Sequence, residues 1–564
     1  MDNGNERNRT GHGTSDKQDA GSALLKGAAV LGLAAVVSKL IGTLQKIPLQ
    51  NIAGDAVFGI YNAVYPLYIL ILFLATAGFP LVVSKFVSEY AAQGRLEEAR
   101  RVLRVAAAAL TVTGALCCGL LYFGSERLAA WMGAAQTATA IRSVSFALLL
   151  VPMMSALRGY FQGFQLMAPT AWSQVVEQAV RVVTMFTLLI VWMRAGFGPD
   201  AIAAGATFGS VTGAAAGLAV MLYYWQRERR GNQAVMLPDG KGKERPAKSL
   251  REDGALLKRM AAYAIPLCLG SIATPVLTLV DSFTVPRLLR GTGLGETEAL
   301  YQFGLYNHGL PLVQLVAMIA SSMSAAIVPA IAEARQRGDR AAVRRRAGMS
   351  LRVTWLLAFP AAVGLALLAA PINGMLFNTA EGTAAMSVLA FTALFSAVNI
   401  VASSVLQGFG AVRAPALYLL LAAGVKAAAN AVLVPRLGID GAAWAAVAAY
   451  ALVGGLALAH ALRACGVTAP SGRALLKPIA AIGFMALGLL AVTHGAAPLA
   501  RWAAAMPPRG IATAVALGGV AAGALVYALA LLRFGVVTAA ELAHVPQLAG
   551  KPLALLRKLR LLRS

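Results

Sequence analysis

Long apolar runs alternate with short polar connections along almost the whole chain, from Leu24 to Arg533. Each run is close to the roughly 20 residues needed to cross a hydrocarbon layer of ~30 Å at 1.5 Å per residue. The runs fall at about 24–45, 61–88, 103–123, 141–163, 171–193, 201–224, 259–285, 304–331, 351–376, 384–409, 415–434, 440–462, 475–495 and 511–533. Backbone groups in hydrocarbon must be bonded internally, so runs of this period are helices. The pattern predicts an all-α polytopic membrane protein with 14 transmembrane helices.

The connections carry most of their basic charge on one side. Arg95, Arg100, Arg101 and Arg104 follow helix 2; Arg227, Arg229, Arg230, Lys241, Lys243, Arg245, Lys248 and Arg251 follow helix 6; Arg335, Arg337, Arg340, Arg344, Arg345 and Arg346 follow helix 8. The opposite loops are sparsely basic. The positive-inside rule places both termini and the even-to-odd connections in the cytoplasm of a multi-pass cell-membrane protein.

Two halves are visible in the sequence itself. Gly59-Ile60-Tyr61-Asn62 with Pro66-Leu67 recurs 245 residues later as Gly304-Leu305-Tyr306-Asn307 with Pro311-Leu312. Gln162-Gly163-Phe164 recurs at the same offset as Gln407-Gly408-Phe409. The repeat holds six helices, an even number, so the copies are parallel repeats. The expected organisation is an N-terminal tail over 1–23, an N-lobe over 24–225, a cytoplasmic linker over 226–258 and a C-lobe over 259–462. Two appended helices follow over 463–533, then a basic tail over 534–564.

Composition agrees: 58% of the 564 residues are hydrophobic and 13% charged, against about a quarter charged in ordinary globular chains. The net charge of +25 follows topology, so no nucleic-acid partner is expected. Cys117, Cys118, Cys268 and Cys465 have no metal-ligand spacing and read as packing residues. His12, His308, His460, His494 and His544 are scattered. The acids Asp55, Asp200, Glu296, Glu298, Glu381 and Asp440 fall in short outer loops, so nothing points to an enzyme or a bound cofactor. With no P-loop, the membrane potential or an ion gradient is the expected source of work.

An ionisable residue deep in a span is costly and usually faces protein or water. Lys26 and Lys85 lie near cytoplasmic ends, and Lys46 and Asp281 near outer ends, where long side chains can snorkel. Arg158 sits several residues inside the end of helix 4. Glu177 and Arg181 lie about 10 and 15 Å along helix 5 and, four residues apart, share a face. They read either as an ion pair between helices or as the wall of a substrate path. Lys426 stands 245 residues after Arg181, with no carboxylate at position 422 to pair it. With Lys39 in helix 1, these residues outline a cationic cavity suited to an anion.

Ser38-Lys39-Leu40-Ile41-Gly42, Thr76-Ala77-Gly78-Phe79-Pro80 and Val83-Ser84-Lys85-Phe86-Val87-Ser88-Glu89-Tyr90 resemble the multidrug/oligosaccharidyl-lipid/polysaccharide (MOP) exporter superfamily. Arg158-Gly159-Tyr160-Phe161-Gln162-Gly163 with Ser173-Gln174-Val175-Val176-Glu177-Gln178 is similar to its Gram-positive stage V sporulation protein B and YtgP branch. The resemblance implies a MurJ-like fold of two six-helix lobes around a cavity. It also implies a Gram-positive cell membrane and a substrate such as lipid II, an undecaprenyl-pyrophosphate-linked oligosaccharide. Lys39 matches the arginine of helix 1 in the MurJ pattern, whereas Leu67-Tyr68-Ile69-Leu70 and His308-Gly309-Leu310 replace those of helices 2 and 8.

Three functions follow as expectations. The first is a flippase for lipid II or a related teichoic or capsular precursor, with Lys39, Arg181 and Lys426 attracting the pyrophosphate and Glu177 and Arg158 beside them. The second is a cation-coupled multidrug exporter with Glu177 as its acid. The third is a membrane scaffold that gathers wall-synthesis proteins on its basic loops.

Overall fold

The computed structural model describes residues 29–76, 78–235, 250–411, 413–467, 472–502 and 507–537, and every regular element among them is helical. Helix α1 covers 29–44. It is followed by α2 (Lys46–Thr76), α3 (Phe79–Ala92), α4 (Leu96–Met132), α5 (Thr137–Ser145), α6 (Ala147–Gly163), α7 (Met167–Arg194) and α8 (Pro199–Val235). Next come α9 (Leu250–Gly291), α10 (Glu296–Tyr306), a 3-10 turn (Asn307–Gly309), α11 (Leu310–Gln336), α12 (Arg340–Leu367) and α13 (Ala369–Phe377). The last are α14 (Thr383–Gly408), α15 (Arg413–Cys465), α16 (Gly472–Trp502) and α17 (Pro508–Arg533).

Eleven helical runs among the described residues are long and apolar enough to cross a membrane. Two of them are too long for one crossing. Ala29–Ala92 has 64 residues, about 96 Å of helix, and Gly54 breaks it at φ 78 and ψ 174. Arg413–Cys465 has 53 residues and breaks at Gly438, φ 60 and ψ −136. Both conformations belong to glycine, which has no Cβ to clash. Counting each as two crossings and adding the 42-residue α9 gives the fourteen predicted. The outer faces suit that solvent: on α4, Val112, Leu116, Leu120 and Phe123 form an exposed stripe, with Phe123 85% exposed, which hydrocarbon makes favourable.

The predicted linker is shorter than its sequence composition implied. Helix α8 runs on to Val235 and α9 starts at Leu250, because Arg227, Arg229 and Arg230 are good helix formers. Glu252 and Asp253 in the first turn of α9 suit the positive helix end. The tail 1–23, most of 534–564 and the side chain of Cys268 lie outside the described residues. Cys117, Cys118 and Cys465 are free thiols.

The chain divides into two compact units: Met1–Ala53 with Ile60–Pro275, and Gly54–Gly59 with Val276–Ser564. The duplication reappears in each unit's backbone. Gln165 and Gly410, 245 residues apart, both take positive φ, 61° and 76°, and so do Gly133 and Asn378, 71° and 55°. The helix before Gln165 and the one before Gly410 end in the same way: Leu166 N–H donates to Phe161 O and Ala411 N–H to Leu406 O, at 2.9 and 3.0 Å, the six-to-one closure of a Schellman motif. The repeats differ at the GxYN motif. Pro66 stays inside α2, whereas Pro311 opens α11 after the 3-10 turn, where Gly309 replaces the position of Val64.

Packing relies on glycine where helices approach closely. In the first unit Gly205, Gly209, Gly213 and Gly217 form an i, i+4 ladder on α8 facing α7. A Cβ on Gly209 would lie 2.6 Å from Arg181 O, and one on Gly213 2.6 Å from Glu177 O. Such a stripe lets two backbones meet. In the second unit, α16 and α17 bury Ile482, Met485, Leu489 and Ala516 with Leu368, Ala369 and Ile372 at the junction of α12 and α13. Arg509 also donates to Met375 O at 3.0 Å, covering a carbonyl at the end of α13.

Candidate functional site

The glycine ladder fixes α7 against α8 with Glu177 and Arg181 one turn apart, as their spacing predicted. Glu177 does not pair with Arg181 alone. Its Oε1 accepts from Arg181 Nη2 at 3.0 Å and its Oε2 from Arg158 Nη2 at 2.8 Å. Arg158 also donates to Ser173 Oγ at 2.7 Å, and Ser173 in turn donates to Gly217 O at 2.9 Å. The three charged side chains are only 12 to 15% exposed. One carboxylate therefore serves two guanidiniums, and among the described residues one positive charge is left without a paired acid in a poorly solvated place.

Aromatic residues of α2 surround that charge. Tyr61, Tyr65 and Tyr68 lie within electrostatic range of Arg181. Tyr61 stacks on Tyr65 with centroids 5.5 Å apart and planes 16° from parallel, and Tyr68 follows at 6.1 Å from Tyr65. Lys46 places its ammonium 5.9 Å from the Tyr65 ring and is 6% exposed. The snorkelling expected of Lys46 is thus corrected, because the side chain turns inward to the tyrosines. Gln178 donates to Gln45 Oε1 at 3.2 Å beside this group. Among the described residues, the buried Arg181 Nε and Tyr68 hydroxyl have no hydrogen-bond partner. An unmet buried polar group costs about 1–3 kcal/mol, so both are poised to accept a ligand contact.

Lys39 does not join this cluster. Its side chain is exposed on α1. Lys46, seven residues on, is the cation that does, and sequence reading passed over it because it sits near a span end.

Lys426 occupies the repeat position of Arg181 in the second unit, with a different outcome. It is 1% exposed, and its Nζ donates to Asp281 Oδ2 at 2.6 Å and to Leu277 O at 3.0 Å. Asp281 also accepts from Tyr306 Oη at 2.8 Å and from Asn430 Nδ2 at 3.2 Å. The expected unpaired cation is therefore corrected: α9 supplies the carboxylate that α15 lacks. Asp281, expected to snorkel at an outer end, is buried within this network because Lys426, Tyr306 and Asn430 replace water around it.

Asp55 is likewise no loop residue. It starts the helix after the Gly54 break, is 7% exposed, and meets His308 Nε2 at 2.6 Å inside the second unit. The same segment touches α10 closely: a Cβ on Gly59 would lie 1.9 Å from Leu300 O, and one on Gly304 2.1 Å from Asp55 O. The two repeat-related glycines thus make reciprocal contacts, each against the carbonyl four residues before the other. Among the described residues no group of His, Cys, Asp and Glu is arranged to hold a metal ion.

The comparisons with known proteins agree with this architecture. The polysaccharide biosynthesis protein family matches residues 24–335. The chain is 32% identical over 523 residues to the uncharacterized membrane protein YabM of Bacillus subtilis (strain 168), covering 92% of this chain and 94% of the relative. It is 28% identical over 444 residues to the lipid II flippase MurJ of the same organism, covering 76% and 80%. Its fold is similar to a solved inward-facing multidrug resistance MATE family transporter of the MOP superfamily, with TM-score 0.61 and 13% identity over 78% of this chain and 98% of that one. The chain belongs to the polysaccharide biosynthesis protein family, as a polytopic membrane protein related to MurJ and stage V sporulation protein B.

Proposed function

We propose that this protein moves a lipid-linked anionic cell-wall precursor, with lipid II as the first candidate, from the cytoplasmic to the outer leaflet by alternating access. The observation that carries the reading is the surplus positive charge at Arg181. Glu177 is divided between two arginines, and Arg181 keeps a buried, unpartnered Nε beside the unpartnered hydroxyl of Tyr68. A guanidinium with free donors suits a phosphate or pyrophosphate oxygen. Arg158 and Glu177 hold Arg181 in place, Lys46 adds charge beside Tyr65, and the exposed Lys39 supplies attraction from α1. Lys426, neutralised by Asp281, serves the packing of the second unit.

The relation to MurJ supports this substrate class, and the basic cytoplasmic connections support cytoplasmic termini. The likeness to a MATE transporter supports the shared fold and keeps a cation-coupled drug exporter as the rival. That rival needs a carboxylate open to a cation, and both oxygens of Glu177 are taken by arginine.

The test is transport by the full chain in proteoliposomes, with fluorescent lipid II and a lipophilic cationic dye measured in parallel. Movement of lipid II between leaflets without dye efflux is the expected result. Dye efflux driven by an ion gradient, with lipid II stationary, would transfer the assignment to the exporter.

A further inference from the structure

His308 takes no part in the Arg181 cluster, yet it is fully buried in the turn between α10 and α11. Both ring nitrogens face oxygen: Nδ1 lies 2.9 Å from Asn373 Oδ1 and Nε2 lies 2.6 Å from Asp55 Oδ1. The Asn373 amide can be oriented from its own bonds. Its Nδ2 donates to Glu381 O at 2.8 Å and to Thr383 Oγ1 at 3.1 Å, and the Thr383 hydroxyl is itself spent on Ala380 O at 2.6 Å. The atom turned to His308 is therefore oxygen, which only accepts, so Nδ1 carries a hydrogen.

That assignment fixes the proton count at the other nitrogen. A neutral ring with its hydrogen on Nδ1 would aim the Nε2 lone pair at an Asp55 carboxylate 2.6 Å away, which is repulsive. The contact is attractive in two forms only: an imidazolium donating to the carboxylate, or a neutral imidazole accepting from a carboxylic acid O–H. Each holds one proton more than a neutral ring beside an ionised acid. We propose that His308 and Asp55 form a proton-binding site in the second unit, and that its one proton fastens the segment Gly54–Gly59 to the turn between α10 and α11.

The surroundings fit a retained proton. Phe377 of α13 stacks on the imidazole at 4.0 Å with planes 7° apart, and Phe58 of α2 covers it from 6.0 Å. A π face beside a cationic ring is favourable. Among the described residues, Tyr301 of α10 is an ionisable group within electrostatic range of Asp55 and Glu298, and it donates to Glu381 Oε2 at 2.9 Å. From α13 the pair meets the neutral Asn373 and Phe377. The segment held by the proton is Gly54–Gly59, bounded on one side by the Gly54 break and on the other by the Gly59 and Gly304 contact. Loss of the proton replaces a short charge-assisted bond by repulsion where backbones already touch.

Asp55→Asn separates this proposal from a merely structural pair. Its amide N–H can donate to the Nε2 lone pair, so the variant keeps the contact with a neutral His308 and needs no extra proton. In the full chain in lipid nanodiscs, 15N-labelled histidine signals would be followed over about pH 5 to 9, with His308 assigned by its loss in His308→Gln. The wild-type His308 signal should titrate while that of Asp55→Asn stays constant. Hydrogen exchange of residues 54–59, corrected for intrinsic rates, should accelerate at least about tenfold across the same transition in the wild type and in neither variant. A His308 signal that never titrates in the wild type, or equal pH dependence of exchange in wild type and His308→Gln, would overturn the proposal. If Asp55→Asn alone fails to fold, the His308→Gln comparison decides the outcome.

Discussion

Arg181 and Lys426 occupy matching positions of the two repeats and have opposite electrostatic settings. In the first unit two arginines share one carboxylate, and Tyr61, Tyr65, Tyr68 and Lys46 gather around the surplus charge. In the second unit Lys426 meets Asp281 one to one, and Tyr306, Asn430 and Leu277 complete the network. Duplication supplied a basic residue twice, and one acid on α9 determined its use. A charge with a dedicated partner holds helices together, whereas a charge that shares its partner remains available to an anion.

The comparison breaks most visibly at Lys426. Lys426→Ala leaves Asp281 without its cation in a site where its side chain is 5% exposed, and losing one partner of a buried pair costs about 3–5 kcal/mol. Thermal unfolding in detergent should fall sharply and membrane abundance with it. Neutralising both partners, as Lys426→Met with Asp281→Asn, should recover most of that loss, because the amide oxygen then at position 281 still accepts from the Tyr306 hydroxyl. If the single substitution unfolds at the wild-type temperature, the pair is not holding the unit together.

A smaller effect is expected at Glu177. Glu177→Gln removes the carboxylate shared by Arg158 and Arg181, at about 1–3 kcal/mol, and raises the surplus charge of the cluster by one. Binding of a soluble pyrophosphate analogue should strengthen as stability falls, a combination that calorimetry and thermal unfolding report together. Weaker binding in this variant would mean that Glu177 contacts the ligand directly.

Packing supplies the finest distinction. Gly213→Ala puts a Cβ 2.6 Å from Glu177 O and 2.9 Å from Arg181 Cβ, an overpacking cost of about 1–3 kcal/mol that also displaces both charged residues. Gly455→Ala on α15 meets nothing within 4 Å and should gain about 0.5–1 kcal/mol from helix propensity. Unfolding temperatures that move the same way for both would remove the glycine ladder from the account.

Much of this is legible in the sequence. The fourteen crossings followed from runs of apolar residues, and the duplication from two short motifs at one offset, since confirmed by matching positive-φ positions and helix ends. The Glu177 and Arg181 pair followed from an i, i+4 spacing, which is local. Contacts between distant helices left no such trace. Asp281 and Lys426 are 145 residues apart, and Asp55 and His308 are 253 apart. Each looked solvated or isolated because linear position near a span end does not say which way a side chain turns. Lys46 was misjudged for the same reason, its tyrosine neighbours being on the far side of the Gly54 break. The ladder from Gly205 to Gly217 was the local signal left unused, since four-residue spacing of glycine on an apolar helix marks where a neighbour approaches.

The central claim is that the surplus charge at Arg181, rather than the neutralised pair at Lys426, handles the anionic substrate. The direct measurement is the rate of lipid II movement between leaflets in proteoliposomes for Arg181→Ala and for the doubly neutral Lys426→Met with Asp281→Asn, each normalised to folded protein. Losing a charged hydrogen bond of about 1.5–3 kcal/mol should slow Arg181→Ala by roughly 10- to 100-fold, with the double variant within about threefold of wild type. A wild-type rate for Arg181→Ala, or a collapse confined to the folded double variant, would contradict the account.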